Sequence, residues 1–147
     1  MSMKILLLFL ADDDHDDREL FKEAIEEIAV KTKVVTFENG VSLMAHLLDT
    51  TTKLPDFIFL DLNMPMMTGE ECLDDIRSES NLQQIPITIY STFYNHKQAS
   101  LLKEKGADRY IQKPNNFSLL KATIERCLES FKVENDETLD KDTYFVI

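Results

Sequence analysis

The stretch Asp56-Phe57-Ile58-Phe59-Leu60-Asp61-Leu62-Asn63-Met64-Pro65 decides the fold. Phe57 to Leu60 are apolar with no polar alternation, the pattern of a strand covered on both faces. The run ends in a single carboxylate, Asp61, and breaks into a loop. Open α/β sheets place their chemistry at the tips of such strands. Asp61 is therefore expected on a rigid element, aimed at a crevice.

Working outward, Lys4 to Leu10 reads as a second buried strand, and it runs into Asp12-Asp13-Asp14. From about His15 to Val30, Leu20, Phe21, Ala24, Ile25 and Ile28 recur at helical spacing, with Arg18, Glu19, Lys22 and Glu23 on the other side. Lys33 to Phe37 is a short β-branched strand closed by Asn39-Gly40, and Val41 to Asp49 a helix with Leu43, Met44, Leu47 and Leu48 inward. Beyond the central strand, Thr68 and Glu71 form a capping box that starts a helix to about Arg77. Ile87 to Tyr90 is a strand that stops at Ser91. Asn95 to Lys105 is a helix ending at Gly106, and Arg109 to Gln112 a less apolar strand expected at an edge. Asn116 caps a last helix through Phe131, burying Leu119, Leu120, Ile124, Cys127 and Leu128. Five strands alternating with five helices predict a three-layer α/β sandwich around a parallel sheet.

The 147 residues fit one domain, with 44% apolar and 29% charged residues. No apolar run approaches the roughly 20 residues that span a bilayer, and the acidic cluster after Leu10 does not resemble a signal-peptide cleavage site. Cys72 and Cys127 lack metal-ligand spacing and read as reduced core thiols of a cytoplasmic protein. A formal charge of −11 argues against direct nucleic-acid binding, which needs a basic footprint, and against anionic membranes.

In a parallel sheet the strand tips share one edge, so Asp12, Asp13, Asp61, Ser91 and Lys113 become neighbours. Three carboxylates so placed repel one another by a few kcal/mol per close pair, roughly, and a divalent cation resolves the conflict. An all-oxygen site that keeps water suits Mg²⁺ (or Mn²⁺). With cation and Lys113 in place, Asp61 can approach a phosphoryl donor as a nucleophile, and Ser91 can donate a hydrogen bond to a phosphoryl oxygen.

Leu-Ala-Asp-Asp-Asp at 10–14, Phe-Leu-Asp-Leu-Asn-Met-Pro-Met-Met-Thr-Gly at 59–69, Ile-Pro-Ile at 85–87 with Ser91, and Gly-Ala-Asp-Arg-Tyr-Ile-Gln-Lys-Pro at 106–114 carry a family resemblance. Over residues 3 to 131 the chain resembles the receiver domain of two-component response regulators, of the stand-alone, chemotaxis-receiver-like kind. The resemblance implies a flavodoxin-like, doubly wound five-stranded sheet in strand order 2-1-3-4-5. It implies Asp61 as phosphoacceptor and Asp12 and Asp13 as the acid pair. Asp13, Asp61 and the Asn63 backbone carbonyl would hold the cation, with Asp12 acting through water. Ser91 and Tyr110 take the switch positions, Lys113 the phosphate-binding position, and Lys113–Pro114 the peptide bond usually cis in the family. Thr92 stands where a small residue is usual, while Phe93 and Asn63 occupy positions that influence acyl-phosphate hydrolysis.

The expected function is a switch, not an enzyme acting on external substrates. A histidine kinase or histidine phosphotransfer protein supplies the phosphoryl group, and a downstream protein of unread identity responds. A homodimer through the face around the fourth and fifth strands is compatible with the resemblance. A haloacid-dehalogenase-type hydrolase also uses a strand-tip Asp, but wants an acid two residues on, where this chain has Asn63. A phosphorylation-independent interaction module would not need the complete acid, hydroxyl and lysine set. Asp14, Asp16 and Asp17 read as helix caps or a solvated face, and His15, His46 and His96 as residues without functional partners. The domain is expected over 1–131. Residues 132–147 form an acidic extension whose apolar tip, Tyr144 to Ile147, is expected to dock on a subunit or partner surface.

Overall fold

A computed structural model describes residues 4–132 and 144–146. Chain order runs β1 (Leu6–Ala11), α1 (His15–Glu27), β2 (Thr32–Phe37), α2 (Gly40–Leu48), β3 (Phe57–Leu60), α3 (Gly69–Ser78), β4 (Ile87–Ser91), α4 (His96–Glu104), β5 (Arg109–Gln112), α5 (Phe117–Lys132) and β6 (Phe145–Val146). The strands are all parallel, in the order β2-β1-β3-β4-β5-β6. Within it lies the expected flavodoxin-like order 2-1-3-4-5, wound with five helices.

Two separate apolar clusters make the three layers. Phe9, Ile58, Leu60, Ile87 and Ile89 face Leu43, Leu47, Leu73, Ile76 and Leu102 of α2, α3 and α4. Leu8, Leu10, Phe57, Phe59 and Tyr90 face Phe21, Ile25, Leu120, Ile124 and Leu128 of α1 and α5. Each central strand is thus buried on both sides, which is why its sequence shows no alternation.

Each helix starts at a capping side chain, and at Asp14, Thr68 and Asn116 the sequence already reads it as one. Asp14 accepts from Asp17 N, Asn39 from Ser42 N, Asn95 from Gln98 N and Asn116 from Leu119 N, and Thr68 with Glu71 closes a capping box. Three leucines assigned to the core lie partly in solvent: Leu20, Leu48 and Leu119 are 44%, 51% and 45% exposed. Each sits at the margin of a helical stripe whose centre is held by Phe21, Leu47 or Leu120.

The far side of β5 departs from expectation. The expected edge strand is covered by β6, with Tyr110 opposite Phe145 and the Tyr110 N–H donating to the Tyr144 carbonyl at 2.7 Å. The apolar tip therefore docks on its own chain rather than on a subunit or partner. The physical reason is an open row of backbone groups beside an aromatic surface. The Tyr144 hydroxyl donates to the Ala99 carbonyl of α4 at 2.9 Å, and the Phe145 ring lies 4.7 Å from that of Tyr94. The expected linker 133–143, and Ile147, lie outside the described residues.

Candidate functional site

The tips of β1, β3, β4 and β5 converge as the alternation requires. Asp12 follows β1 and is fully buried, its N–H donating to the Phe37 carbonyl. Asp61 follows β3 and is 5% exposed, its N–H bonded to the Ala11 carbonyl. Ser91 ends β4 and is buried, while Lys113 follows β5 and is fixed by its N–H to the Ser91 carbonyl at 2.7 Å. Asp13 stands exposed at the mouth, and Asn63, also exposed, begins the loop after Asp61.

Carboxylate oxygens of Asp12, Asp13 and Asp61 lie within 4.8 Å of one another. The Lys113 ammonium is 2.8 Å from Asp12 Oδ2, 2.8 Å from Asp17 Oδ2 and 3.6 Å from Asp61 Oδ2, and 5.2 Å from the Tyr90 ring centre. Asp12 Oδ1 accepts the Asp14 N–H at 2.9 Å. Asp12 Oδ2, although close to Lys113, receives no well-directed hydrogen bond. Asp61 Oδ1 has only a long bond from Asn63 N at 3.4 Å.

The electrostatics follow from this geometry. Burial pushes the Asp61 carboxyl up to about 7; Lys113 opposes the shift and the Asp12 carboxylate adds to it. Burial pulls the Lys113 ammonium down, but the close carboxylates of Asp12 and Asp17 outweigh it and hold the group above the usual lysine range. The nest therefore carries more anion than its one cation neutralises. The donor set fits a divalent cation: three carboxylates, one with a poorly satisfied buried oxygen, close enough together to share an ion at oxygen distances of about 2.1 Å.

The loop after β3 is held tightly. Gly69 N donates to the Leu62 carbonyl, and a Cβ at Gly69 would collide with the Asp61 backbone carbonyl, so only glycine lets α3 begin there. Met66 adopts φ 69°, a left-handed conformation unusual for a side chain of this kind, and is 74% exposed. On the β4 side, Ser91 Oγ accepts the Phe93 N–H at 3.3 Å, and the Tyr110 hydroxyl donates to the Phe93 carbonyl at 2.6 Å. Phe93 itself is 71% exposed at the mouth. Tyr110 is wholly buried, with the Tyr94 ring edge-on at 5.5 Å.

Two sequence expectations change here. The Lys113–Pro114 bond is trans, since the described residues contain no cis peptide. A trans bond is the intrinsic preference even before proline, and in it Lys113 already reaches Asp12 and Asp17. The second concerns the start of α1. Asp14 caps the helix as expected, but Asp17 turns inward to Lys113, and Arg18 is buried, donating to the Asp12 carbonyl at 2.8 Å. The overlooked signal was periodicity: 17, 21, 24 and 28 fall on one stripe, so Asp17 sits above Phe21 on the inner face. Of the histidines, His46 lies edge-on to Phe9 and Phe37, and His96 pairs with the Tyr94 hydroxyl.

A parallel sheet of this order, with buried acids and a lysine along its carboxyl edge, defines an α/β domain whose ligand chemistry lies at its strand tips. The profile of the family described as the response regulator receiver domain matches residues 8–125, and the chain belongs to that family. Response regulator Rcp1 of Synechocystis sp. is 26% identical over 132 residues, 87% of this chain and 89% of that protein. Chemotaxis protein CheY of Pseudomonas aeruginosa is 28% identical over 134 residues, 86% of this chain and 97% of CheY. Among solved structures, the phosphorylated cyanobacterial phytochrome response regulator RcpA superposes with a TM-score of 0.78 at 32% identity, covering 90% of this chain and 96% of RcpA. The Mn²⁺-bound form of Rcp1 superposes at 0.76 with 25% identity, covering 92% and 97%. The chain is thus a phosphoaccepting signalling domain of the two-component response regulator family. No described helix is long and apolar enough to cross a membrane.

Proposed function

We propose that Asp61 is the phosphoacceptor, taking its phosphoryl group from a phosphohistidine on a kinase or phosphotransfer protein. The single supporting observation is the shared nest: Asp61 within 3.6 Å of Lys113, and its oxygens grouped with those of Asp12 and Asp13. A carboxylate oxygen of Asp61 bonds to phosphorus as the donor's P–N bond breaks, and the departing imidazole takes the electron pair and then a proton. Mg²⁺ is the favoured cation, which Asp13, Asp61 and the Asn63 backbone carbonyl would hold, with Asp12 acting through water. Once bound, it neutralises charge on the transferring oxygens. Lys113 shares that charge, and Ser91 donates its hydroxyl to the acyl phosphate. Because Ser91 and Tyr110 both bond to Phe93, a pull on Ser91 is felt at Tyr110, the proposed switch pair. Water later attacks phosphorus, the bonding pair returns to Asp61, and phosphate leaves; this self-dephosphorylation is the domain's own chemistry. The free, buried Cys72 and Cys127 support a reducing, cytoplasmic setting.

The test is intact-mass analysis of the chain incubated with Mg²⁺ and acetyl phosphate. One added phosphate is expected on the wild type and none on Asp61→Asn. Labelling that persists in the variant, or maps to another residue, rejects the assignment.

A further inference from the structure

Lys113 has three acidic neighbours, and the one proposed to receive the phosphoryl group is the farthest. Asp12 and Asp17 each hold the ammonium at 2.8 Å, against 3.6 Å to Asp61. Asp12 belongs to the metal nest. Asp17 does not: it is absent from the acidic cluster that fits a cation, and its only side-chain partner among the described residues is Lys113.

We propose that Asp17 is a positioning residue, drawing the Lys113 ammonium away from Asp61 in the resting protein and giving it up when a phosphoryl group arrives. The inference rests on the assignment of Asp61 as phosphoacceptor and adds a determinant of how readily it accepts. Two effects of the carboxylate act with the same sign. It competes with an incoming phosphoryl group for the same ammonium, and it adds a negative charge near the path of an anionic donor. The backbone supports such a restraint. Asp17 N is fixed by the Asp14 cap, and the neighbouring Arg18 is bolted to the Asp12 carbonyl, so the carboxylate is presented from a rigid first turn. With a side chain 34% exposed, Asp17 is partly screened, so the restraint is modest and reversible.

The experiment follows phosphate gain by intact mass in the full chain with Mg²⁺ and acetyl phosphate, comparing wild type, Asp17→Asn, Asp17→Glu and Asp61→Asn. A second readout, in metal-free protein without donor, is solvent exchange of the Lys113 ammonium protons by nitrogen-15 NMR. Asp17→Asn is expected to accept phosphate about 2- to 5-fold faster and to exchange its ammonium protons faster, with Asp17→Glu close to wild type. A role confined to helix stability would instead lower the melting temperature without speeding acceptance. If the wild type is labelled at Asp61 and Asp17→Asn is no faster, the inference is overturned alone. If the wild type takes no phosphate at Asp61, the phosphoacceptor assignment and the inference fall together.

Discussion

The two ends of the β4–β5 pair hold their charges in opposite ways. At the end where the strands begin, the Arg77 guanidinium is 17% exposed and fully engaged. It donates to the carbonyls of Gly106, Gln83 and Ile85 and pairs with Asp108 at 2.9 Å, while Asp108 also accepts the Ile87 N–H. At the end where they finish, Asp12 keeps a buried oxygen without a directed donor, Asp61 is pushed up to about 7, and one lysine serves three acids. A satisfied buried network fixes a structure. An unsatisfied one stores unfavourable charge that a cation can relieve, and three clustered carboxylates fit a divalent one.

The largest effect should come from breaking the satisfied end. Arg77→Ala leaves several carbonyls and Asp108 without their donor, and should lower unfolding free energy by about 2–4 kcal/mol. Urea unfolding measures this directly. The folded fraction should still take phosphate, because nothing at the strand tips is touched. An unchanged urea midpoint would show that the network at this end is dispensable and remove half of the contrast.

Next in size is the pH dependence of the unsatisfied end. The folded carboxyl of Asp61 titrates near 7 against an ordinary value of 3.8, so the native state binds more protons than the unfolded state between these pH values. Stability from this group is therefore present at low pH and lost as pH rises through about 7, by at most about 4 kcal/mol across the window. Metal-free wild type should lose stability over that range more steeply than Asp61→Asn, and saturating Mg²⁺ should flatten the wild-type curve. Parallel wild-type and variant curves without metal would mean that Asp61 is ionised at no cost, contrary to its burial.

What the sequence made legible follows the same division. Strands buried on both faces, such as Phe57 to Leu60, announce themselves by composition, and a parallel sheet then places Asp12, Asp61, Ser91 and Lys113 at one edge with no further information. Capping residues act on their own helices, so Asp14, Thr68 and Asn116 could be read locally. Asp17 and Arg18 could not be read that way. An acid in the first turn looks like a favourable dipole partner, and only the fold, which brings the start of α1 beside the tip of β5, turns it toward Lys113. The trans Lys113–Pro114 bond was hidden because both isomers are open to proline in an isolated chain. The β6 strand, two residues long, has no period to detect.

That short strand gives the smallest expected effect and the sharpest test of how the β5 edge relates to the nest. Removing residues 144–147 takes away the acceptor for the Tyr110 N–H and the Tyr144 bond to Ala99, each worth about 1 kcal/mol or less net. Stability should fall by roughly that amount, and hydrogen exchange at the Tyr110 amide should speed up. Acceptance of phosphate from acetyl phosphate should hardly change, because no atom of the nest is lost. The truncation also exposes an edge strand and the rings of Tyr94 and Tyr110, a surface suited to pairing with a second copy. Sedimentation of the truncated chain at rising concentration should then show more self-association than the full chain. If instead Tyr110 exchange is unaltered by truncation, β6 does not cover β5 in solution, and the unsatisfied strand tips have an equally unsatisfied edge beside them.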